Sequence, residues 1–149
     1  MCDAIEEIFR GRPTFSPETI ACAPDEKGAY LLRIRLGEGA AIRVGSDIYM
    51  LSVGDYLYAG SAYGPGGIRA RLRHHFRRDK KPHWHVDQLT NIGAEIDAWA
   101  FEGGQECALI AQLLDSGSFE DAVARFGASD CRTCPSHLLR HVSASPTSG

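Results

Sequence analysis

Residues 58–87, YAGSAYGPGGIRARLRHHFRRDKKPHWHVD, decide how this 149-residue chain is read. They follow from VGDYLYAG (residues 53–60), where Tyr56 and Tyr58 fall on one face at the spacing of a strand. Residues 61–67 are rich in glycine and carry Pro65, which predicts a turn. Residues 68–78 then place Ile68, Leu72 and His75/Phe76 at i, i+4 and i+7/i+8, an apolar stripe of helical period. Pro82 closes that region, and residues 83–89 predict a short helix buried through Val86 and Leu89. A strand, a glycine turn and a basic helix form the organising unit.

Upstream, residues 28–36 (GAYLLRIRL) end in alternating apolar and basic residues and predict a strand with one wet face. Residues 40–44 and 48–52, split by Gly45-Ser46-Asp47, predict a β-hairpin insert. Residues 1–27, with Pro13, Pro17 and Pro24, form an N-terminal extension that lies against the domain or stays loose. Downstream, residues 94–101 (AEIDAWAF) alternate as a strand does. Residues 105–114 predict a helix packing through Cys107, Leu109/Ile110 and Leu113/Leu114, and residues 119–126 a shorter one capped by Gly127. Residues from 128 onward read as irregular, with a disordered tail at 141–149. One domain, residues 28–140, is expected.

A chain of this size buries a core without disulfides or metals, and its 44% hydrophobic and 23% charged residues are those of a soluble globular protein. No apolar run approaches the roughly 20 residues that span a bilayer. The acidic N-terminus is not a secretory signal, so a cytoplasmic location is expected. Five cysteines, odd in number and scattered, argue for reduced thiols. The formal charge of −3 conceals a patch, because residues 69–85 hold seven Lys/Arg and a single acid. Such a patch on an acidic chain suits a localised anionic partner.

Several constellations bear on chemistry. The glycine turn runs into a helix N-terminus, where free N–H groups and the helix dipole suit phosphate; it matches neither the phosphate loop nor the dinucleotide fingerprint, and an ordinary connecting loop explains it equally. Arg71 and His75 stand one helical turn apart on one face, as do His74 and Arg78. Arg69, Arg73 and Arg77 share another face, best read as a wet surface that attracts a polyanion without reading it. Arg71 borders the apolar stripe and is the better candidate for a working guanidinium. His83-x-His85 with Asp87 offers metal ligands or phosphate donors. Cys131-x2-Cys134-x2-His137 resembles half a zinc site. Glu106 opens a helix, where a carboxylate is explained by the dipole alone.

Two tripeptides add meaning in combination: Gly28-Ala29-Tyr30 starts one strand and Tyr58-Ala59-Gly60 ends another. With Arg71, His75 and Glu106 following in that order, the chain resembles the GIY-YIG nuclease superfamily. The stretches GSAYGPGGIRARLRHHFRRDKKPHWHVD, GQECALIAQL and FGASDCRTCPSHLL resemble its Uri-type branch, over about residues 28–140. The chain departs from the pattern in having Ala29 and Ala59 at the tripeptide centres, a longer spacer between them, and Asn91 as its only asparagine, upstream of Glu106.

The resemblance implies an α+β fold, with a small antiparallel sheet of about three main strands flanked by helices. It implies an endonuclease hydrolysing DNA phosphodiester bonds with one Mg²⁺ or Mn²⁺ held by Glu106. Tyr30, its pKa lowered by the metal and neighbouring cations, would help deprotonate water. Tyr58 would hydrogen-bond the phosphate or the nucleophile, Arg71 would stabilise the transition state, and His75 with one of His83/His85 would assist proton transfer or orient the phosphate. Arg69, Arg73, His74, Arg77, Arg78, Lys80, Lys81, His83 and His85 would hold the nucleic-acid backbone. A domain of this size suits single-stranded or branched DNA better than a long specific site. The rival readings are a non-catalytic nucleic-acid-binding module using the basic helix 68–78, and a metal or redox protein built on His83, His85, Cys131, Cys134 and His137.

Overall fold

The run GAYLLRIRL forms β1 (Gly28–Leu36), and the run around Tyr56 and Tyr58 forms β4 (Gly54–Ala62). They pair antiparallel, with Tyr30 opposite Gly60 and Leu32 opposite Tyr58. A computed structural model of the protein describes residues 11–44, 46–77, 86–92, 95–117, 119–122 and 138–141. The expected hairpin forms between the two strands as β2 (Ala40–Val44) and β3 (Asp47–Leu51), a separate two-stranded sheet. After β4 come α1 (Gly67–Phe76), α2 (Asp87–Thr90), β5 (Glu95–Glu102), α3 (Glu106–Asp115), β6 (Phe119–Asp121) and β7 (Leu138–His141).

The fold is α+β, with an antiparallel sheet in the order β5-β1-β4-β7-β6. The sheet has five strands rather than about three. The helix expected over residues 119–126 is replaced at its start by β6, and the irregular region after residue 128 contains β7. Leu138 and Leu139 are fully buried and pair with Tyr58 and Leu57. That burial imposes the strand on a four-residue segment with weak intrinsic preference. The disordered tail expected from residue 141 does not include His141, which closes β7 opposite Phe119; residues 142–149 lie outside the described set.

Both faces of the sheet are covered, so the wet face expected for β1 is confined to its end. One face presents Tyr30, Leu32, Ile34, Tyr56, Tyr58, Ile96, Ala98 and Ala100 to Ile68, Leu72 and Phe76 of α1, Leu89 of α2, and Ile42 and Leu51 of the hairpin. The other presents Ala29, Leu31, Leu57, Ala59, Trp99 and Phe101 to Leu109, Ile110 and Leu113 of α3. Ala29 and Ala59 are fully buried there, and their small side chains let α3 approach the sheet. Only toward the end of β1 does alternation reach solvent, where Arg33 pairs with Asp97 and Arg35 with Asp55 and Glu95 on the flanking strands.

The N-terminal extension lies against the domain over its described part. Phe15 exchanges backbone hydrogen bonds with Ala98 at 2.8 and 2.9 Å, covering the outer edge of β5. Arg12 donates through Nη1 to the Ala100 carbonyl at 2.9 Å, and its guanidinium lies 4.1 Å from the Phe101 ring centroid. The chain then reaches the start of α1. Gly67, at φ +63°, lies so close to the Asp25 carbonyl that a Cβ there would stand 2.1 Å from its oxygen. No helix among the described residues is long and apolar enough to cross a membrane.

Topology places three loops at one end of the sheet. Gly28 opens β1 opposite Ala62, near the end of β4, and opposite Glu102, the last residue of β5. The glycine turn and α1 follow β4 there, and α3 follows β5. Tyr63, leaving β4, donates its hydroxyl to the Gly104 carbonyl at 2.8 Å, tying the two connections together.

Candidate active site

Tyr30 and Tyr58 project from adjacent strands on the face covered by α1, their ring centroids 6.5 Å apart. His75, one turn along α1 from Arg71, enters from above: its ring centroid is 5.3 Å from Tyr30 and 6.3 Å from Tyr58. The Tyr30 hydroxyl and His75 Nε2 share a 2.7 Å hydrogen bond. Gly60 makes this packing possible, since a Cβ there would sit 2.2 Å from the Tyr30 hydroxyl and 2.3 Å from Cζ. Gly28 is needed for a similar reason, as a Cβ would meet the Phe101 carbonyl oxygen at 2.4 Å.

Arg71 and Glu106 complete the group electrostatically. The Tyr30 pKa is raised well above the ordinary phenol value by burial first and by Tyr58 next; Arg71 opposes through its charge and a hydrogen bond, and Glu106 adds to the rise. Tyr58 is raised by burial, then by Glu106, with Arg71 opposing and Asp87 adding. The lowered pKa expected for Tyr30 depends on a bound metal; among the protein's own side chains, burial outweighs Arg71 and the direction is upward. Removing a phenolate from water costs more than one guanidinium returns, so Tyr30 and Tyr58 are neutral phenols able to donate hydrogen bonds.

The sign of this shift predicts an alkaline effect. Folding favours the protonated phenols, so their stabilisation is complete below about pH 10 and is lost as pH rises past the free-chain value. Each such tyrosine adds a slope of up to about 1.4 kcal/mol per pH unit. Urea unfolding between pH 9 and about 12 should show a shallower loss in Tyr58→Phe than in the parent; equal slopes contradict the burial argument.

The other side chains expected to hold nucleic acid separate. Arg69 donates its Nε to the Ala23 carbonyl at 2.7 Å and so pins the N-terminal segment. Arg73 and Arg77 are exposed and suit the landing surface expected of them. His74 turns inward, with Nε2 3.1 Å from both carboxylate oxygens of Asp87. Arg78, Lys80, Lys81, His83, His85, Cys131, Cys134 and His137 lie outside the described residues.

The helix N-terminus proposed for phosphate has its donors engaged. Gly67 N–H bonds to the Gly64 carbonyl, Ile68 N–H to Glu26 at 2.9 Å, Arg69 N–H to Pro24 at 2.9 Å and Ala70 N–H to Gly66. A concavity of about 210 Å³ does lie beside it, lined by Gly64, Pro65, Gly67, Ala70, Arg71 and His74. Cys22 is a free, exposed thiol, whereas Cys107, next to Glu106, is disulfide-bonded, against the reduced state expected.

Asp87 is the residue that sequence reasoning undervalued. The sequence offers it only beside His83-x-His85, as part of a set of metal ligands or phosphate donors, yet it is fully buried at the start of α2 against His74 and His75. Its one sequence signal is an acid set between Val86 and Leu89, both buried.

Fold and site together define an α+β domain whose sheet end gathers two tyrosines, an arginine, two histidines and two carboxylates. The chain belongs to the family described as "Domain of unknown function DUF123", whose pattern matches residues 29–148. Comparison with curated proteins and with solved structures gives no match.

Proposed function

We propose that this protein is a divalent-metal-dependent endonuclease that hydrolyses DNA phosphodiester bonds. The observation that carries this reading is the mutual influence of Tyr30, Tyr58, Arg71 and Glu106, side chains from β1, β4, α1 and α3 that are felt at the same two phenols. A cation, two neutral donors and a carboxylate match the needs of phosphoryl transfer, in which charge builds on phosphate oxygens.

Glu106 fits a role as ligand to one Mg²⁺ or Mn²⁺. It is partly exposed at the first turn of α3 and acts on both tyrosines, and one hard oxygen donor suits an ion that completes its shell with water and substrate oxygens. Such an ion, when bound, would supply charge neutralisation and a more acidic water. Arg71 lies toward the concavity and offers a bidentate fork to phosphate oxygens. Tyr30, fixed by His75, and Tyr58 donate hydrogen bonds to the phosphate or the attacking water. The exposed Arg73 and Arg77 add a screened, sequence-independent attraction to the backbone.

The test is incubation of the purified protein with Mn²⁺ and single-stranded, duplex and branched DNA. Cleavage of at least one is expected, with the single-stranded or branched form preferred. Intact DNA in all three sinks the reading.

A further inference from the structure

A second cluster lies beside the tyrosines and does not involve Glu106. His74 and His75 are the eighth and ninth residues of the ten-residue α1, and Asp87 is the first residue of α2. His74 Nε2 lies 3.1 Å from both Asp87 oxygens, and His75 Nδ1 lies 3.7 Å from Asp87 Oδ1. One donor atom from each residue falls within 4.8 Å of the others. Asp87 and His75 are 0% and 1% exposed, and the His74 side chain is 26% exposed.

We propose that His74, His75 and Asp87 form a binding site for a zinc-class divalent cation, separate from Glu106. Bonds of about 2.0–2.2 Å to nitrogen and oxygen in a tetrahedron put the donors about 3.3–3.5 Å apart. The separations of 3.1 and 3.7 Å bracket that edge, and the second is too long for a hydrogen bond. Two imidazoles with one carboxylate favour zinc over magnesium, which prefers oxygen ligands.

The surroundings supply the rest of a metal site. His75 turns its other nitrogen, Nε2, to the Tyr30 hydroxyl at 2.7 Å. With Nδ1 on the ion, Nε2 carries the proton and donates to the Tyr30 oxygen, the outer partner that metal-bound histidines generally have. His74 also lines the concavity beside α1, which gives the ion a path in and a direction for a fourth ligand. The ion would staple the last turn of α1 to the start of α2, holding the two ends of the segment between them.

Cobalt(II) added to the full-length protein tests this without reference to cleavage. One equivalent should produce the visible bands of tetrahedral cobalt, and zinc should remove them. His74→Gln and Asp87→Asn should each weaken cobalt binding by more than the roughly 10–100-fold that loss of an outer partner costs, while Glu106→Gln leaves the spectrum intact. Where Asp87→Asn fails to fold, the partly exposed His74→Gln, with its fold checked by circular dichroism, carries the test. The proposal is overturned by a parent protein without the bands, by bands that survive in His74→Gln, by their loss in Glu106→Gln, or by a thiolate-to-cobalt band that puts the ion on cysteine.

Discussion

Glu106→Ala is expected to reduce Mn²⁺-dependent DNA cleavage by on the order of 10³-fold, the several kcal/mol that a metal contributes to charge stabilisation. DNA affinity should stay within about threefold, because binding draws on the surface arginines rather than on this carboxylate. Stability should fall by less than about 1 kcal/mol, since Glu106 is partly exposed and its main structural role is at the positive end of α3. Steady-state cleavage, filter binding and thermal melting on one preparation separate the three. Cleavage at the parental rate would remove Glu106 as the metal ligand. Cleavage absent from the parent itself, with binding intact, would favour the non-catalytic module.

The second large effect is expected at Gly60→Ala. The added methyl would stand 2.2 Å from the Tyr30 hydroxyl and 2.3 Å from its ring carbon, so either the ring moves or β1 and β4 part. Overpacking of this kind costs about 1–3 kcal/mol. Moving the ring also breaks its 2.7 Å bond to His75, and displacement of a positioned group by an ångström costs about 10²-fold in rate. Ser61→Ala, one residue along and partly exposed, should change stability by no more than about 0.5 kcal/mol. Denaturant midpoints and cleavage rates decide; a Gly60→Ala protein as stable and active as the Ser61→Ala control contradicts the packing.

Strands β1, β4 and β5, the hairpin, α1 and α3 were legible because their apolar residues repeat at 2 or 3.6 and glycines mark their ends. Strands β6 and β7 were not. FED and LLRH carry no alternation, and they become strands only because β4 offers an unpaired edge to Leu138 and Leu139. The second covered face was half legible: the first part of β1, GAYLL, is a continuous apolar run, the signature of a strand buried on both sides, while RIRL suggests a wet face. The grouping of Tyr30, Tyr58, Arg71 and Glu106 as a candidate site came from the two tripeptides and the resemblance they carry, not from spacing alone. Their environments were not legible. Counting the Arg71 guanidinium alone predicts a more acidic Tyr30, and the depth of burial outweighs it. Arg69 and His74 sat in a basic run that looked uniform, and tertiary contacts sent one to Ala23 and the other to Asp87.

The N-terminal clamp constrains how the chain folds during synthesis. Arg12 and Phe15 find their partners at Ala100 and Ala98, a separation of 88 residues for the Arg12 bond. The earliest described segment therefore has no docking place on the ribosome until most of the domain has emerged, and β1 must likewise wait for β5. Long-range pairings of this kind slow folding and leave apolar strands transiently open to association. Expression at lowered temperature should therefore raise the soluble yield.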